Sequence, residues 1–340
     1  YAMVEMSKMD KKVYVRILIL LLIPAFPLST KAIATLYIDP PTTVTSVSDT
    51  FSVNITISDV IDLAGWEFKL YYLSSKLNGT DLEEGPFLKQ GGSTYFAIIN
   101  FTDNYNSTHG LAWVTCALLG VGPGVNGNGT LAVVTFKAKQ LGTSSLSLTN
   151  TWLSDSQPIP HIALNGIVYI LPHDVAITNL TPSKTVVGQG LNVKIYLNIL
   201  NRGNFTETFN VTVYASTTII GTLVNMTLAG GNSTTITFIW NTTGFEKYKN
   251  YTISAYAHLV QGEMDLTDNT FIDGTVIISI VGDIVPDKKV DLKDVGTAAK
   301  AFGSYPGHER WNPMVDINND NKVDMKDIGT IAKEFGKTDL

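Results

Sequence analysis

Cysteine, charged residues and catalytic motifs are all scarce in this sequence of 340 residues. Cys116 is the single cysteine, so no disulfide can form within the chain, and its position in an apolar run predicts a buried core thiol. Charged residues make up only 16% of the chain, with a net charge of −6. No basic stripe occurs, so nucleic acid is not an expected partner. Large packed cores must take the place of disulfides.

The sequence also lacks the motifs of common catalytic sites. It contains no nucleophile elbow, no His-Glu-x-x-His zinc motif and no phosphate-binding loop. Its histidines are scattered, and none lies beside a cysteine or serine that it could activate. Paired carboxylates for sugar hydrolysis stay open, because such residues meet only in space. We therefore expect a protein that is not an enzyme.

The first 34 residues have the pattern of a secretory signal peptide. A basic lead that ends at Arg16 precedes the apolar run 17–26, which is short for a membrane span. The sequence Ala32-Ile33-Ala34 fits a cleavage site of small residues, so the mature chain is expected to begin near Thr35. No second apolar run of spanning length follows, so the mature chain is predicted to be extracellular, either free or at the cell surface.

Sequons of the form Asn-x-Ser/Thr are dense after the signal segment and make the chain a candidate glycoprotein. They are Asn54, Asn78, Asn100, Asn106, Asn128, Asn179, Asn204, Asn210, Asn225, Asn232, Asn241 and Asn250.

Residues 316–327 place side-chain oxygens at the spacing of an EF-hand calcium loop. The oxygens fall at loop positions 1, 3, 5, 9 and 12, and the residue at position 7 offers its backbone carbonyl. Asn321 lies at position 6, where the loop turns sharply and asparagine tolerates a left-handed backbone. A solvated acidic loop has no reason to keep this spacing around an apolar Val323. The predicted calcium ligands are Asp316, Asn318, Asp320, Lys322, Asp324 and Asp327.

A second copy of this loop lies 33 residues earlier in the chain. Residues 283–303 are identical to residues 316–336 at 14 of 21 positions. In the earlier copy Val285 offers no side-chain oxygen at position 3, and Lys288 adds a positive charge at position 6. Because ligand number and charge set calcium affinity, we expect a strong site in the later loop and a weaker one here. The weaker site would use Asp283, Asp287, Lys289, Asp291 and Asp294.

Each loop leads into a predicted helix that Gly303 or Gly336 closes. Apolar residues recur in both helices at helical spacing, which predicts that the two helices pack face to face as a pseudo-twofold pair. The residues of this predicted stripe are Val295, Ala299, Phe302, Ile328, Ala332 and Phe335.

Residues 282–336 resemble a type I dockerin, the small calcium-loaded module that plugs into a cohesin. The resemblance rests on the duplicated loop with Asp at position 12 and on the single helix that follows each copy. It implies a small all-α module over residues 281–340 whose partner is a protein that carries a cohesin. In dockerins, loop positions 10 and 11 commonly face that partner. Here these positions are Leu292, Lys293, Met325 and Lys326.

Residues 35–171 contain short runs that alternate apolar and polar residues, separated by clusters of Gly, Pro and Asn. This pattern predicts a β-sandwich. In the run 66–72, Trp66 shares one face with Phe68, Leu70 and Tyr72, so we predict that it is a core residue rather than a sugar-stacking one. Several stretches resemble cohesins, which implies a jelly-roll-like sandwich that binds a protein carrying a dockerin. These stretches are residues 62–68, 84–88 and 129–138.

Residues 172–280 show regular short strands with Gly and Asn turns, which predicts an immunoglobulin-like sandwich. The segment resembles the CARDB type of surface-protein repeat, and the stretch 263–269 is typical of it. The resemblance implies a spacer or adhesion role. Glu263, Asp265 and Asp268 could bind a weak cation, but the sequence favours a solvated turn.

Taken together, the segments predict a mainly β protein with two β-sandwich domains followed by a small EF-hand-like module. The resemblances imply a secreted scaffold or adaptor from a prokaryote, either bacterial or archaeal. Such a protein assembles through calcium-dependent contacts of the cohesin–dockerin kind. Polysaccharide degradation is one setting for such assemblies. A chain with both socket and plug could also join head to tail. Two alternatives stay open: a first sandwich that binds polysaccharide, and a surface adhesin in which calcium is only structural.

Overall fold

A computed structural model describes residues 33–120 and 122–339 of the chain. The predicted signal segment up to residue 32 lies outside the described residues. Strands dominate the described part, in agreement with the predicted mainly β class. No helix in residues 33–120 or 122–339 is long and apolar enough to cross a membrane.

Residues 34–170, called here the first sandwich, form two sheets that pack against each other. The strands are β1 (Ala34–Asp39), β2 (Thr42–Thr45), β3 (Thr50–Leu63), β4 (Gly65–Leu73), β5 (Leu77–Glu84), β6 (Thr94–Thr102), β7 (His109–Leu118), β8 (Val125–Ala138), β9 (Gly142–Ser154), β10 (His161–Leu164) and β11 (Gly166–Ile170). The first sheet has the strand order β10-β1-β3-β8-β5, and the second has the order β2-β11-β9-β4-β7-β6. A short 3₁₀ helix at Leu88–Gly91 follows β5.

Strand β4 shows how the sequence pattern builds this core. Its residues alternate between the interior and the outer face, and Trp66, Phe68, Leu70 and Tyr72 are all buried, as the pattern predicts. The ring of Tyr72 meets that of Phe136, from the opposite sheet, edge to face with centroids 4.9 Å apart. The two sheets therefore share one apolar core, in which the thiol of Cys116 is also buried as predicted.

Residues 175–279, called the second sandwich, form two further sheets. The strands are β12 (Val175–Pro182), β13 (Val186–Gly188), β14 (Asn192–Asn201), β15 (Glu207–Ala215), β16 (Thr218–Leu228), β17 (Ser233–Asn241), β18 (Asn250–Ala257) and β19 (Thr270–Ser279). One sheet has the order β12-β14-β17, and the other has the order β13-β19-β18-β15-β16. The core between them contains the rings of Trp240, Phe245 and Tyr251, which meet edge to face.

Residues 281–339, called the C-terminal module, contain helix α1 (Leu292–Ala301) and helix α2 (Met325–Lys333). Each helix begins with a capping box, formed by Asp291 with Asp294 in α1 and by Asp324 with Asp327 in α2. The same aspartates are predicted calcium ligands at positions 9 and 12 of the loops. Loop and helix are therefore joined through shared side chains.

The predicted helix stripe is partly wrong. Val295 and Ile328 pack against the module's core, but Ala299, Phe302, Ala332 and Phe335 are exposed. The buried position 12 carboxylates set the orientation of each helix, so the buried face continues from them at helical spacing. It runs through Ala298 and Ala301 in α1 and through Ile331 in α2.

Candidate functional site

The later loop closes around its first and last residues. Asp316 is buried, and its two carboxylate oxygens accept hydrogen bonds from the backbone amides of Asp320 (3.1 Å) and Asn321 (3.0 Å). Asp327 is buried as well and accepts from the amides of Ile317 (2.8 Å) and Asp324 (2.9 Å). Asn321 has a φ of 65°, the left-handed conformation expected at the turn. The predicted ligand residues are thus held in a closed loop.

The earlier loop repeats this arrangement. Asp283 accepts from the amides of Asp287 (3.2 Å) and Lys288 (3.1 Å). Asp294 accepts from the amides of Ile284 and Asp291, both at 2.9 Å. Lys288 adopts a φ of 74°, the same backbone conformation as Asn321 in the other copy. Internal duplication in the sequence therefore corresponds to a duplicated loop in the structure.

The two loops differ at position 5. In the earlier loop the ammonium of Lys293 lies 2.7 Å from Oδ2 of Asp287, and this pair holds the pKa of the Asp287 carboxyl below its usual range. In the later loop the equivalent distance, between Lys326 and Asp320, is 3.8 Å. In the earlier loop Lys293 thus pairs with one oxygen of the position 5 carboxylate, while Oδ1 of Asp287 is buried without a hydrogen-bond partner in the described residues. The weaker calcium site expected there stays a prediction.

Burial dominates the electrostatics at position 1 of both loops. It raises the pKa of the Asp283 carboxyl, against the lowering effect of hydrogen bonds from Tyr248 and from backbone amides. It also raises the pKa of the Asp316 carboxyl, against the effects of the Asn321 amide and of the Lys184 charge. A hard cation bound between these carboxylates would offset the cost of keeping them ionised and buried.

The donors fit calcium in kind, since carboxylate, amide and carbonyl oxygens are the ligands it prefers. In the described part of the chain, however, no group of three or more His, Cys, Asp or Glu side chains is positioned to hold a metal ion. Binding would therefore need the amide of Asn318, the backbone carbonyl of Lys322 and a closer approach of the carboxylates. Calcium binding at both loops stays a prediction.

The predicted partner-facing residues lie at the start of each helix and point to solvent. Leu292 is 76% exposed and Met325 is 67% exposed, which is unusual for large apolar side chains. Lys293 and Lys326 are exposed beside them. The two copies present the same pair of side chains, one apolar and one basic.

The second sandwich contacts both loops, and no sequence pattern indicates this junction. The hydroxyl of Tyr248 donates a 2.7 Å hydrogen bond to Oδ2 of Asp283. The ammonium of Lys184 donates to the backbone carbonyl of Asp316, although Lys184 is only 3% exposed. Leu191 and Ile280 add apolar contacts to the module's core. The missed residues lie far from the loops in sequence, so loop spacing could not have identified them.

The outer face of the first sandwich, formed by β9, β4 and β7, carries the exposed ring of Trp152 and the half-buried ring of Trp113. Trp152 is 52% exposed and lies across from Glu67 in the β4–β9 ladder. Glu67 accepts a 2.8 Å hydrogen bond from the indole nitrogen of Trp113, and the Lys69 ammonium lies 4.0 Å from the same ring. We call Trp152 and Trp113, with their charged neighbours Glu67 and Lys69, the aromatic face. Trp66 and Trp240, by contrast, are buried and contribute to cores.

Comparison with solved structures gives likenesses to cohesins. A non-cellulosomal cohesin from the archaeon Archaeoglobus fulgidus is 16% identical, with a TM-score of 0.33, over 41% of this chain and 91% of that chain. The third cohesin of ScaC from Acetivibrio cellulolyticus, solved with a dockerin, is 15% identical, with a TM-score of 0.34, over 41% and 99%. A type I cohesin from Pseudobacteroides cellulosolvens is 18% identical, with a TM-score of 0.32, over 41% and 92%. Similarity at this level of identity and TM-score gives no information about the partners of this chain.

No curated protein matches the sequence. One family model does match, over residues 173–271, and this segment contains most of the second sandwich. The family is described as CARDB, in agreement with the resemblance of the stretch 263–269.

Proposed function

We propose that the chain is a non-catalytic extracellular scaffold or adaptor whose C-terminal module is a calcium-organised plug. In this proposal calcium fixes the two loops and thereby the helices, and the exposed starts of the helices insert into a sandwich domain of the cohesin kind. The duplicated pair of Leu292 with Lys293 and Met325 with Lys326 would let either copy face the partner.

The observation that carries the proposal is a glycine in the interior of each helix, where no other described part of the chain packs against it. Glycine in a helix interior costs about 1 kcal/mol relative to alanine, yet both helices contain one, Gly296 and Gly329. A Cβ added at either position would meet nothing within 4 Å. Packing within the chain therefore does not require these glycines. A surface that must lie close to a partner's backbone does require them.

The test is binding of the chain, residues 33–340, to immobilised cohesins from Archaeoglobus fulgidus, Acetivibrio cellulolyticus and Pseudobacteroides cellulosolvens, with calcium and then with chelator. Sedimentation velocity of the same chain measures self-association. Calcium-dependent self-association would mean that the C-terminal module binds the first sandwich of another copy. We expect calcium-dependent binding that Leu292→Asp/Met325→Asp abolishes. Both copies must be changed together, because one intact copy would suffice.

The variant Gly296→Ala/Gly329→Ala provides the sharpest discrimination. We expect it to raise the Tm of the module, because alanine favours the helix, and yet to weaken partner binding. Exposed Lys300→Arg, on the same helix, is the matched control and should change neither property, because lysine and arginine have nearly equal helix propensities. Equal binding by wild type and Leu292→Asp/Met325→Asp would show that the helix starts do not form the contact.

A second candidate function, polysaccharide binding, is supported by the aromatic face. Exposed tryptophans supply the flat apolar surfaces on which sugar rings stack, and Trp152 has the required exposure. Pull-down of the chain on insoluble polysaccharide tests this function, with Trp152→Ala as the variant and buried Trp240→Phe as the control. Retention that is lost only in Trp152→Ala would favour polysaccharide.

A further inference from the structure

An acidic cluster lies at the end of the second sandwich opposite the C-terminal module. Asp174 immediately precedes β12, and Glu263 and Asp268 lie in the segment that leads into β19. Oε1 of Glu263 accepts a 2.8 Å hydrogen bond from the amide of Val175, and Oε2 accepts one of 3.0 Å from Val260. Two separate chain segments therefore meet at these carboxylates. The expectation of a solvated turn is wrong for Glu263 and Asp268, which are partly buried.

The cluster carries more negative charge than its basic neighbour offsets. Arg202 is hydrogen-bonded to Oδ2 of Asp268, and its backbone amide donates to the carbonyl of Asp174. Burial, followed by the charges of Asp268, Glu263 and Asp265, raises the pKa of the Asp174 carboxyl to about 6. One guanidinium thus faces four carboxylates, and part of their charge needs a further counter-charge.

Three buried side-chain oxygens in this cluster have no hydrogen-bond partner in the described residues. They are Oδ1 of Asp174, Oδ1 of Asp268 and Oδ1 of Asn269. Asn269 is only 2% exposed, and its Nδ2 donates to Oε1 of Glu263 at 3.1 Å and to the carbonyl of Ala257 at 3.4 Å. These bonds direct the amide into the cluster and identify which of its atoms is the oxygen.

The three oxygens are all acceptors, so they cannot satisfy one another. A water molecule has two protons to donate and would still leave one acceptor and the negative charge unmatched. A proton on Asp174 would satisfy one neighbouring oxygen. A divalent cation would satisfy all three and offset the charge at the same time, and an all-oxygen donor set favours calcium.

We propose that Asp174, Asp268 and Asn269 bind a calcium ion, separate from the two loops of the C-terminal module. Glu263 positions the amide of Asn269 and ties β12 to the segment before β19, while its own oxygens are held by backbone amides. No three His, Cys, Asp or Glu side chains of the described chain are positioned to hold a metal ion, so the amide oxygen is an essential third donor here. The ion would fasten the start of β12 to the start of β19.

Equilibrium dialysis of the chain, residues 33–340, against calcium chloride tests this site. The background variant Asp283→Ala/Asp316→Ala removes the first ligand from each C-terminal loop. We expect it to retain about one calcium ion per chain, and Asp174→Asn/Asp268→Asn added to it to retain none. Asp273→Asn, further along β19, is the matched control and should keep the ion. Circular dichroism verifies that each variant is folded.

Thermal unfolding supplies a second readout that does not depend on counting ions. The Tm of the background variant should rise with calcium, and less or not at all with magnesium, because Mg²⁺ needs stricter geometry and dehydrates reluctantly. The shape-conserving variant Asn269→Leu, made in the same background, should lose this rise and remain folded. If the background variant binds no calcium and its Tm is the same with calcium and with chelator, the cluster holds a proton instead and the proposal is wrong. That result would leave the proposed plug untouched, because the plug depends on other loops.

Discussion

The hydroxyl of Tyr248, in the second sandwich, donates a 2.7 Å hydrogen bond to Oδ2 of Asp283, the first residue of the earlier loop. At the later loop, Lys184 of the same sandwich donates to the backbone carbonyl of the equivalent residue, Asp316. The sandwich thus holds the first residue of both loops. Any change of the loops on calcium binding must therefore alter, or be limited by, this junction.

Tyr248→Phe removes one side of this junction. The hydroxyl is partly buried and bonds to a carboxylate, so we expect the calcium-free chain to lose about 1 kcal/mol of stability. Urea unfolding in chelator measures this loss, and limited proteolysis shows whether the C-terminal module opens first. Tyr256→Phe removes a hydroxyl elsewhere in the same sandwich and is the matched control. Equal urea midpoints for Tyr248→Phe and Tyr256→Phe would mean that the junction contributes no stability.

Lys184→Met changes the charge beside the later loop. The buried ammonium lies close enough to the Asp316 and Asp327 carboxylates to interact with both, so it offsets their charge when calcium is absent and repels calcium when it binds. We expect the variant to be less stable in chelator but to bind calcium roughly tenfold more tightly. Calorimetric titration with calcium chloride measures the affinity. Exposed Lys300→Met controls for the loss of one positive charge, and a weaker calcium affinity in Lys184→Met would contradict the interpretation.

Val285→Asn/Lys288→Asn gives the earlier loop the donors of the later one. Calcium affinity depends on ligand number and on charge in the loop, so the exchange should tighten the earlier site by at least about tenfold. The measurement is a calcium titration in a background of Asp316→Ala with Asp174→Asn/Asp268→Asn, which removes the first ligand of the later loop and the carboxylates of the site proposed above. The reverse exchange, Asn318→Val/Asn321→Lys, should weaken the later site by a similar factor. If neither exchange changes affinity, positions 3 and 6 do not set the difference between the loops.

Local patterns predicted the structure well where the determining residues are close together in sequence. Alternation in 66–72 placed four side chains correctly in the core, and the turn position of Asn321 required the left-handed backbone that it has. The predicted apolar stripe of each helix is displaced by one residue from the face that is buried. The cause is that buried Asp294 and Asp327 orient the helices more strongly than their apolar residues do.

Contacts between distant segments were beyond sequence reasoning. The residues Lys184 and Asp316 are separated by 132 positions, and a lysine beyond the end of a strand normally points to solvent. The acidic stretch before β19 was expected to be a solvated turn, because the sequence does not show that Val175 and Asn269 donate to Glu263. The candidate calcium loops could be found from spacing, whereas the groups that adjust them could not.

The thiol of Cys116 should be unreactive in the folded protein. It is buried, it donates a 3.4 Å hydrogen bond to Oε1 of Glu84, and burial followed by the Glu84 interaction raises its pKa to about 12. At pH 8 almost no thiolate is present, and the sulfur is out of reach of a reagent. We expect a disulfide reagent to modify Cys116 only as fast as the first sandwich opens, and rapidly in denaturant.

The same shift predicts how stability depends on pH. The folded-state pKa of Cys116 lies above the ordinary thiol pKa of about 9, so the thiol's contribution to stability is complete below about pH 9 and is lost as pH rises toward 12. Cys116→Ala should be less stable than wild type at pH 7, because it loses packing, but should lose less stability between pH 9 and pH 11. Urea unfolding at these pH values compares the two chains. Tyr72, whose pKa burial also raises, is present in both and cancels from the comparison. If the two chains lose the same stability between pH 9 and pH 11, the pKa of the thiol is not raised by folding. Fast modification of the folded chain at pH 8 would show that the thiol is not buried.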